Sequence, residues 1–165
     1  MKKIWIGGLV CIVLVFVLTG CGKTTVTVTP SSQDDMTTTT VRTPTLVPMS
    51  QNLVNGAITV NRGTWYYVPF TVTSSMENAV VSGSFTASGG SGNDIIAYIF
   101  DSIDYTNWSN GHQSTNFYSS GQVTTQNIST SLAPGSYYLV FSNTFSALTP
   151  KVVNTTVNLT WSELR

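Results

Sequence analysis

Val152-Val153-Asn154-Thr155-Thr156-Val157-Asn158-Leu159-Thr160-Trp161 alternates in twos. Val153, Val157, Leu159 and Trp161 share one side with Thr155 in register, and Asn154, Thr156, Asn158 and Thr160 share the other. That period belongs to a strand with one face in a core and one in water. Similar stretches lie upstream. From Thr64 to Thr73, Tyr66, Val68, Phe70 and Val72 oppose Trp65, Tyr67, Pro69 and Thr71, and Pro69 calls for an edge strand or a bulge. From Val80 to Ala87, Val81, Phe85 and Ala87 oppose Ser82, Ser84 and Thr86. Ile95–Phe100 and Tyr137–Phe141 are apolar on both faces, as central strands are. Ala57–Val60 opens the series, and Val123–Ile128 is a further short strand.

Turn signals separate the runs: Asn61-Arg62-Gly63, Gly89 to Asp94, and Ala133-Pro134-Gly135-Ser136. Seven or eight strands at this spacing, without a helical period, predict an all-β fold, an antiparallel β-sandwich or jelly roll. Ser102–Gly121 is left as the longest irregular stretch.

The other end of the chain has a different character. Met1-Lys2-Lys3 is basic, and Ile4–Leu18 is apolar apart from glycines. This reads as a secretory signal, too short for a spanning helix, which needs about 20 apolar residues. The run closes at Leu18-Thr19-Gly20-Cys21, which resembles the lipobox of bacterial lipoproteins. That resemblance implies cleavage before Cys21, diacylglycerol on its sulfur, and usually an acylated (palmitate-type) amino terminus. Two or three acyl chains hold a protein at a membrane far more firmly than one. The organisation expected is a signal peptide over 1–20, a lipid-anchored tether over 21–50 and a folded domain over 51–165. The tether has ten threonines and three prolines between Gly22 and Ser50, a composition that does not bury enough apolar surface to order itself.

Processing at Cys21 would remove Cys11 and commit Cys21 to lipid, leaving no thiol for a disulfide or a metal. It would also remove Lys2 and Lys3, so that five basic residues face seven acidic ones, a net charge of −2. With no basic run, the composition argues against nucleic-acid binding.

A second resemblance lies in the closing hairpin. Gly135-Ser136-Tyr137-Tyr138-Leu139-Val140-Phe141-Ser142-Asn143-Thr144-Phe145-Ser146, then Lys151 and the alternating final strand, resembles the end of the GOLD (Golgi dynamics) domain. The likeness is specific from about Pro134 to Leu159. Ser142 stands where eukaryotic members often carry Asp, and the membrane helix and coiled coil of the cargo receptors have no counterpart here. What the resemblance implies is a β-sandwich acting in protein–protein interaction. The bacterial pre-peptidase C-terminal domain is a weaker likeness. Without either family, Asn143 reads as a corner residue whose amide bonds neighbouring backbone, Phe145 as folding back on the core, and Lys151 as a cap on exposed carbonyls.

No catalytic constellation emerges. His112 is the only histidine, and no Gly-x-Ser-x-Gly elbow is present. No catalytic residue and no cofactor is therefore expected. Asp94, Asp101 and Asp104 are the one acidic cluster; calcium is the better functional reading for them, though their spacing matches no recognised calcium loop. The candidate binding residues are Tyr105, Trp108, His112 and Tyr118, aromatic or amphipathic side chains among Asn, Ser and Gly. Trp108 reads equally as an anchor or as a plug at the end of the sandwich, and Phe117 as core. Together these readings predict a non-enzymatic, extracytoplasmic lipoprotein, held at a cell membrane or an outer membrane, whose sandwich binds an envelope protein. The alternatives are a module for envelope glycan and a self-associating surface-layer subunit.

Overall fold

The computed structural model describes residues 43–165 except Ser91. The signal segment, Cys21 and the tether as far as Arg42 lie outside the described residues. Eight strands and one helix follow in order: β1 (Leu46–Val60), β2 (Trp65–Val72), β3 (Glu77–Ser88), β4 (Ile95–Asp101), α1 (Ser102–Ser109), β5 (Tyr118–Val123), β6 (Thr125–Ser131), β7 (Gly135–Ser142) and β8 (Lys151–Leu164). They form two four-stranded antiparallel sheets, sheet I in the order β1-β8-β3-β6 and sheet II in the order β2-β7-β4-β5. This is the jelly-roll arrangement of an all-β sandwich: β1 pairs with β8, β2 with β7, β3 with β6 and β4 with β5, as if one long hairpin had been folded on itself. The two ends of that hairpin meet at Thr45 and Arg165, which exchange both backbone hydrogen bonds at 2.8 and 3.0 Å.

The alternation of the last strand is the alternation of the fold. Val153, Val157 and Leu159 are fully buried between the sheets. Thr155 joins them because its hydroxyl donates to the Ser84 carbonyl at 3.0 Å, so its one polar atom is satisfied inside. Phe70, Val72, Val81, Phe85, Ile95, Ile99, Leu139 and Phe141 complete the core. The core cluster runs from Val54 to Leu159, with Tyr118 and Val123 of β5 packed at its margin, and it lies wholly within the compact unit Thr45–Arg165. Pro69 lies on an edge strand as expected, β2 being the rim of sheet II, while β4, β7 and β8 are central. Gly83 has a packing reason: an added Cβ would sit 2.1 Å from the Thr156 carbonyl oxygen.

The Asn143 corner is built as a brace. Its Nδ2 faces the carbonyls of Val60, Asn61 and Thr149 at 3.0–3.3 Å, joining the end of β1 to the two ends of the β7–β8 connection. Lys151 is buried at the same end, where Nζ donates to the Gly89 carbonyl at 2.8 Å and pairs with Asp94 at 2.9 Å.

Four expectations are corrected. β1 starts at Leu46, inside the expected tether, because Leu46–Ser50 pair with Thr160–Leu164. Val123–Ile128 is not one strand: the chain crosses between sheets at Thr124, whose carbonyl accepts from the Ala87 N–H at 2.7 Å. Ser102–Gly121 is not irregular throughout but holds α1 and the start of β5. Phe117 and Phe145 are 47% and 37% exposed and belong to the surface rather than the core.

Candidate functional site

The outer face of sheet II carries the aromatic residues. Strand register places Trp65, Ser142 and Ile96 in one row, Tyr67, Val140 and Tyr98 in the next, and Pro69, Tyr138 and Phe100 in the third. These side chains point away from the core, yet Val140, Phe100 and Ser142 are almost wholly buried. What covers them is α1, which packs on β4 and β7.

A weak helix former makes this cover. Ser102–Ser109 contains Ser, Thr, Asn and Asp, which propensity disfavours. Its ends are well defined. Asp101 is the N-cap, its Oδ1 accepting from the Asp104 N–H at 2.7 Å. At the other end Gly111, at φ +75°, takes the left-handed position, the His112 N–H reaches the Asn107 carbonyl at 2.9 Å, and the Gly111 N–H reaches that of Trp108 at 3.0 Å. That pattern is a Schellman motif. Asp104 then ties down the returning chain, accepting from the Thr115 N–H at 3.0 Å and from its hydroxyl. Those two hydrogen bonds hold the Asp104 carboxyl below its ordinary value.

Tyr105 and Trp108 are three residues apart and so share the face of α1 that meets the sheet. Tyr105 lies flat on Tyr138, with centroids 4.0 Å apart and planes 9° from parallel, and its hydroxyl accepts from Trp65 Nε1 at 3.1 Å. Trp108 stacks on Phe100 at 5.3 Å, meets Trp65 edge-on at 5.1 Å and touches Tyr98 at 5.7 Å. Burial raises the Tyr105 and Tyr98 phenols above their usual range. Trp108 therefore plugs no end of the sandwich; it seals an aromatic layer on the outside of sheet II.

The layer is open on the β2 side. Tyr67 is half exposed and lies 5.4 Å from Tyr105 and 5.9 Å from Tyr138. Tyr67, Tyr105 and Tyr138 form a continuous aromatic strip. Sequence reasoning placed Trp65 and Tyr67 on one face of a strand but did not count them as site residues. The signal was there in three successive aromatics on a Pro-marked edge strand. Tyr138 and Tyr98 were hidden in runs apolar on both faces, where an outer layer looks the same as a core.

Two of the named residues are elsewhere. Tyr118 begins β5 with its ring against the core and its hydroxyl donating to the Asn127 carbonyl at 2.9 Å. His112 is exposed past the end of α1, and among the described residues no hydrogen bond joins its ring to another group. The three acids are not gathered for one cation. Asp94 directly precedes β4 and Asp101 is its last residue, a span of about 20 Å. Asp94 belongs to Lys151 and Gln122, Asp101 to the helix cap, and Asp104 to Thr115. Hydrogen bonds from Gln122 and Lys151 hold the Asp94 carboxyl below its ordinary value.

Neither a scan of protein-family models nor a search of the curated proteins finds a match to this chain.

Proposed function

We propose that this chain is a lipid-anchored, extracytoplasmic binding protein that presents its jelly roll to a protein of the cell envelope. The Leu18–Cys21 lipobox supports the anchor, and the likeness of Pro134–Leu159 to the GOLD domain supports the protein partner. The observation that carries the binding surface is the half-exposed Tyr67 flanked by the Tyr105–Tyr138 stack. Tyr and Trp supply large contact area at small entropic cost, and they dominate protein contact surfaces. Here they are fixed in advance by stacking and by the Trp65–Tyr105 hydrogen bond. The same flat strip favours a second reading, a glycan whose ring faces stack on tyrosine.

Two measurements test this. Cys21→Ser should abolish lipid labelling and release the protein or leave it as precursor; unchanged labelling refutes the anchor. Immobilised Thr43–Arg165, exposed to solubilised envelope from its own organism, should capture a defined protein that Tyr67→Ala does not. Enriched sugar without a reproducible protein would move the assignment to glycan.

A further inference from the structure

The sandwich has four edge strands, and three of them are guarded against pairing. In β2, Pro69 occupies a position whose backbone faces the open rim: Asn143 and Thr64 are bonded across the strands, so the bonded positions run Tyr66, Val68, Phe70 and the odd positions face out. In β1, the Thr45–Arg165 bonds set the opposite parity, with even positions out; Pro48 therefore faces the open rim, and a bulge follows at Asn52–Val54. In β5 the register slips between Ile96 and Tyr98, and Gly121 stands at φ +65°. These are the devices by which proteins block edge-to-edge association.

β6 has none of them. Thr125-Gln126-Asn127-Ile128-Ser129-Thr130-Ser131 carries no charge and no proline, and its pairing to β3 runs without a register shift. The Thr124 carbonyl and the Leu132 N–H both bond to β3, so the even positions face inward to the sheet. Thr125, Asn127, Ser129 and Ser131 therefore turn their N–H and C=O groups to the open edge. The one occupied group there is the Asn127 carbonyl, which accepts from Tyr118.

We infer that β6 is a homotypic edge: it pairs antiparallel with β6 of a second copy of this chain, joining two sheets I into one eight-stranded sheet. The occupant is argued from the strand itself. About a two-fold axis at Ile128, Thr125 falls opposite Ser131 and Asn127 opposite Ser129, so each outward backbone group has a complement opposite it, the Ser129 N–H taking the second lone pair of the Asn127 carbonyl beside Tyr118. All four of these side chains are short and neutral, so a strand meeting its own copy brings no like charges together. Strand addition of this kind draws its affinity from main-chain hydrogen bonds. The neutral Asn/Ser/Thr face of sheet I would continue across the seam. This inference is independent of the aromatic strip, which lies on the other sheet, and of the lipid anchor.

Ser129→Pro tests it, because the N–H that it deletes points to the open edge and not to β3. In sedimentation equilibrium of Thr43–Arg165, wild type should approach twice the monomer mass as concentration rises. Ser129→Pro should associate at least tenfold more weakly with thermal stability retained. As a second probe, Asn127→Lys combined with Ser129→Lys places ammonium groups directly opposite each other. That variant should be monomeric at low salt and regain association at high salt. Wild type that stays monomeric at millimolar concentration, or variants that associate like wild type, would overturn the inference. Tyr67→Ala should leave the mass unchanged; its loss of association would place the contact on the aromatic strip instead.

Discussion

The two outer faces of this sandwich solve the same problem in opposite ways. Sheet I turns Asn154, Thr156 and Asn158 of β8 outward, beside Ser82, Ser84 and Thr86 of β3, with Asn52 and Asn55 on one flank and Asn127 and Ser129 on the other. The face pays its polar groups off locally, Asn52 to Asn158 and Thr156 to Asn55, each at 2.9 Å. Sheet II turns out Trp65, Tyr67, Tyr98, Phe100 and Tyr138 and needs an eight-residue helix to cover part of them. The first face is complete in water. The second is complete only where α1 reaches, and its uncovered margin is the place where apolar area remains to be buried by something else.

Breaking the cover should have the largest effect. Trp108→Ala removes a ring packed against Phe100, Tyr98 and Trp65 and should cost about 3 kcal/mol, seen as a lowered midpoint in urea. An anchor role without a structural one would leave that midpoint in place. Next is the strut between the sheets. Lys151 begins β8 of sheet I, and Asp94 directly precedes β4 of sheet II. Asp94→Asn leaves a buried ammonium without its counter-charge and should cost about 2–4 kcal/mol at neutral pH. Because folding depresses the Asp94 pKa, its contribution is fully present above the ordinary carboxylate pKa of about 4 and is lost progressively as pH falls from there through the lower folded-state pKa. Wild type and variant should therefore converge in stability as pH falls through the depressed Asp94 pKa, and a gap that stays constant throughout acid titration would contradict the assignment.

A smaller loss should follow Asp101→Ala, which removes the N-cap of α1. About 1 kcal/mol is expected, with amide exchange accelerated in Ser102–Ser109 ahead of the strands. Smallest of all is Asn154→Ser on the exposed centre of sheet I, expected within about 0.5 kcal/mol. A large loss there would show that the polar face is also packed against something, and the contrast between the faces would fail.

This contrast explains what the sequence could show. Period two was visible in β8 because sheet I faces water: Asn154, Thr156 and Asn158 mark every outward position. Three of the chain's four Asn-x-Ser/Thr sequons, at Asn127, Asn154 and Asn158, are a by-product of the same pattern, since alternate outward positions of a polar strand are filled from Asn, Ser and Thr. In β4 and β7 the period vanished, because both faces are covered, one by the core and one by α1. Those runs read correctly as central strands, but nothing in them told of a second apolar layer. The helix itself was illegible. Its residues are poor helix formers, and it is held by the Asp101 cap, the Gly111 end and the tertiary packing of Tyr105 and Trp108. The named site was therefore half legible: Tyr105 and Trp108 meet, His112 and Tyr118 lie apart from them, and Tyr67 and Tyr138 join from distant strands.

The central claim is that the margin of the aromatic face, and not the polar face, meets the partner. The direct measurement is a paired capture from envelope with Tyr67→Ala and Asn154→Ser baits, each first shown to unfold at the wild-type temperature. The account predicts that Tyr67→Ala loses the captured protein and Asn154→Ser keeps it. Retention by Tyr67→Ala, or loss by Asn154→Ser alone, would contradict it.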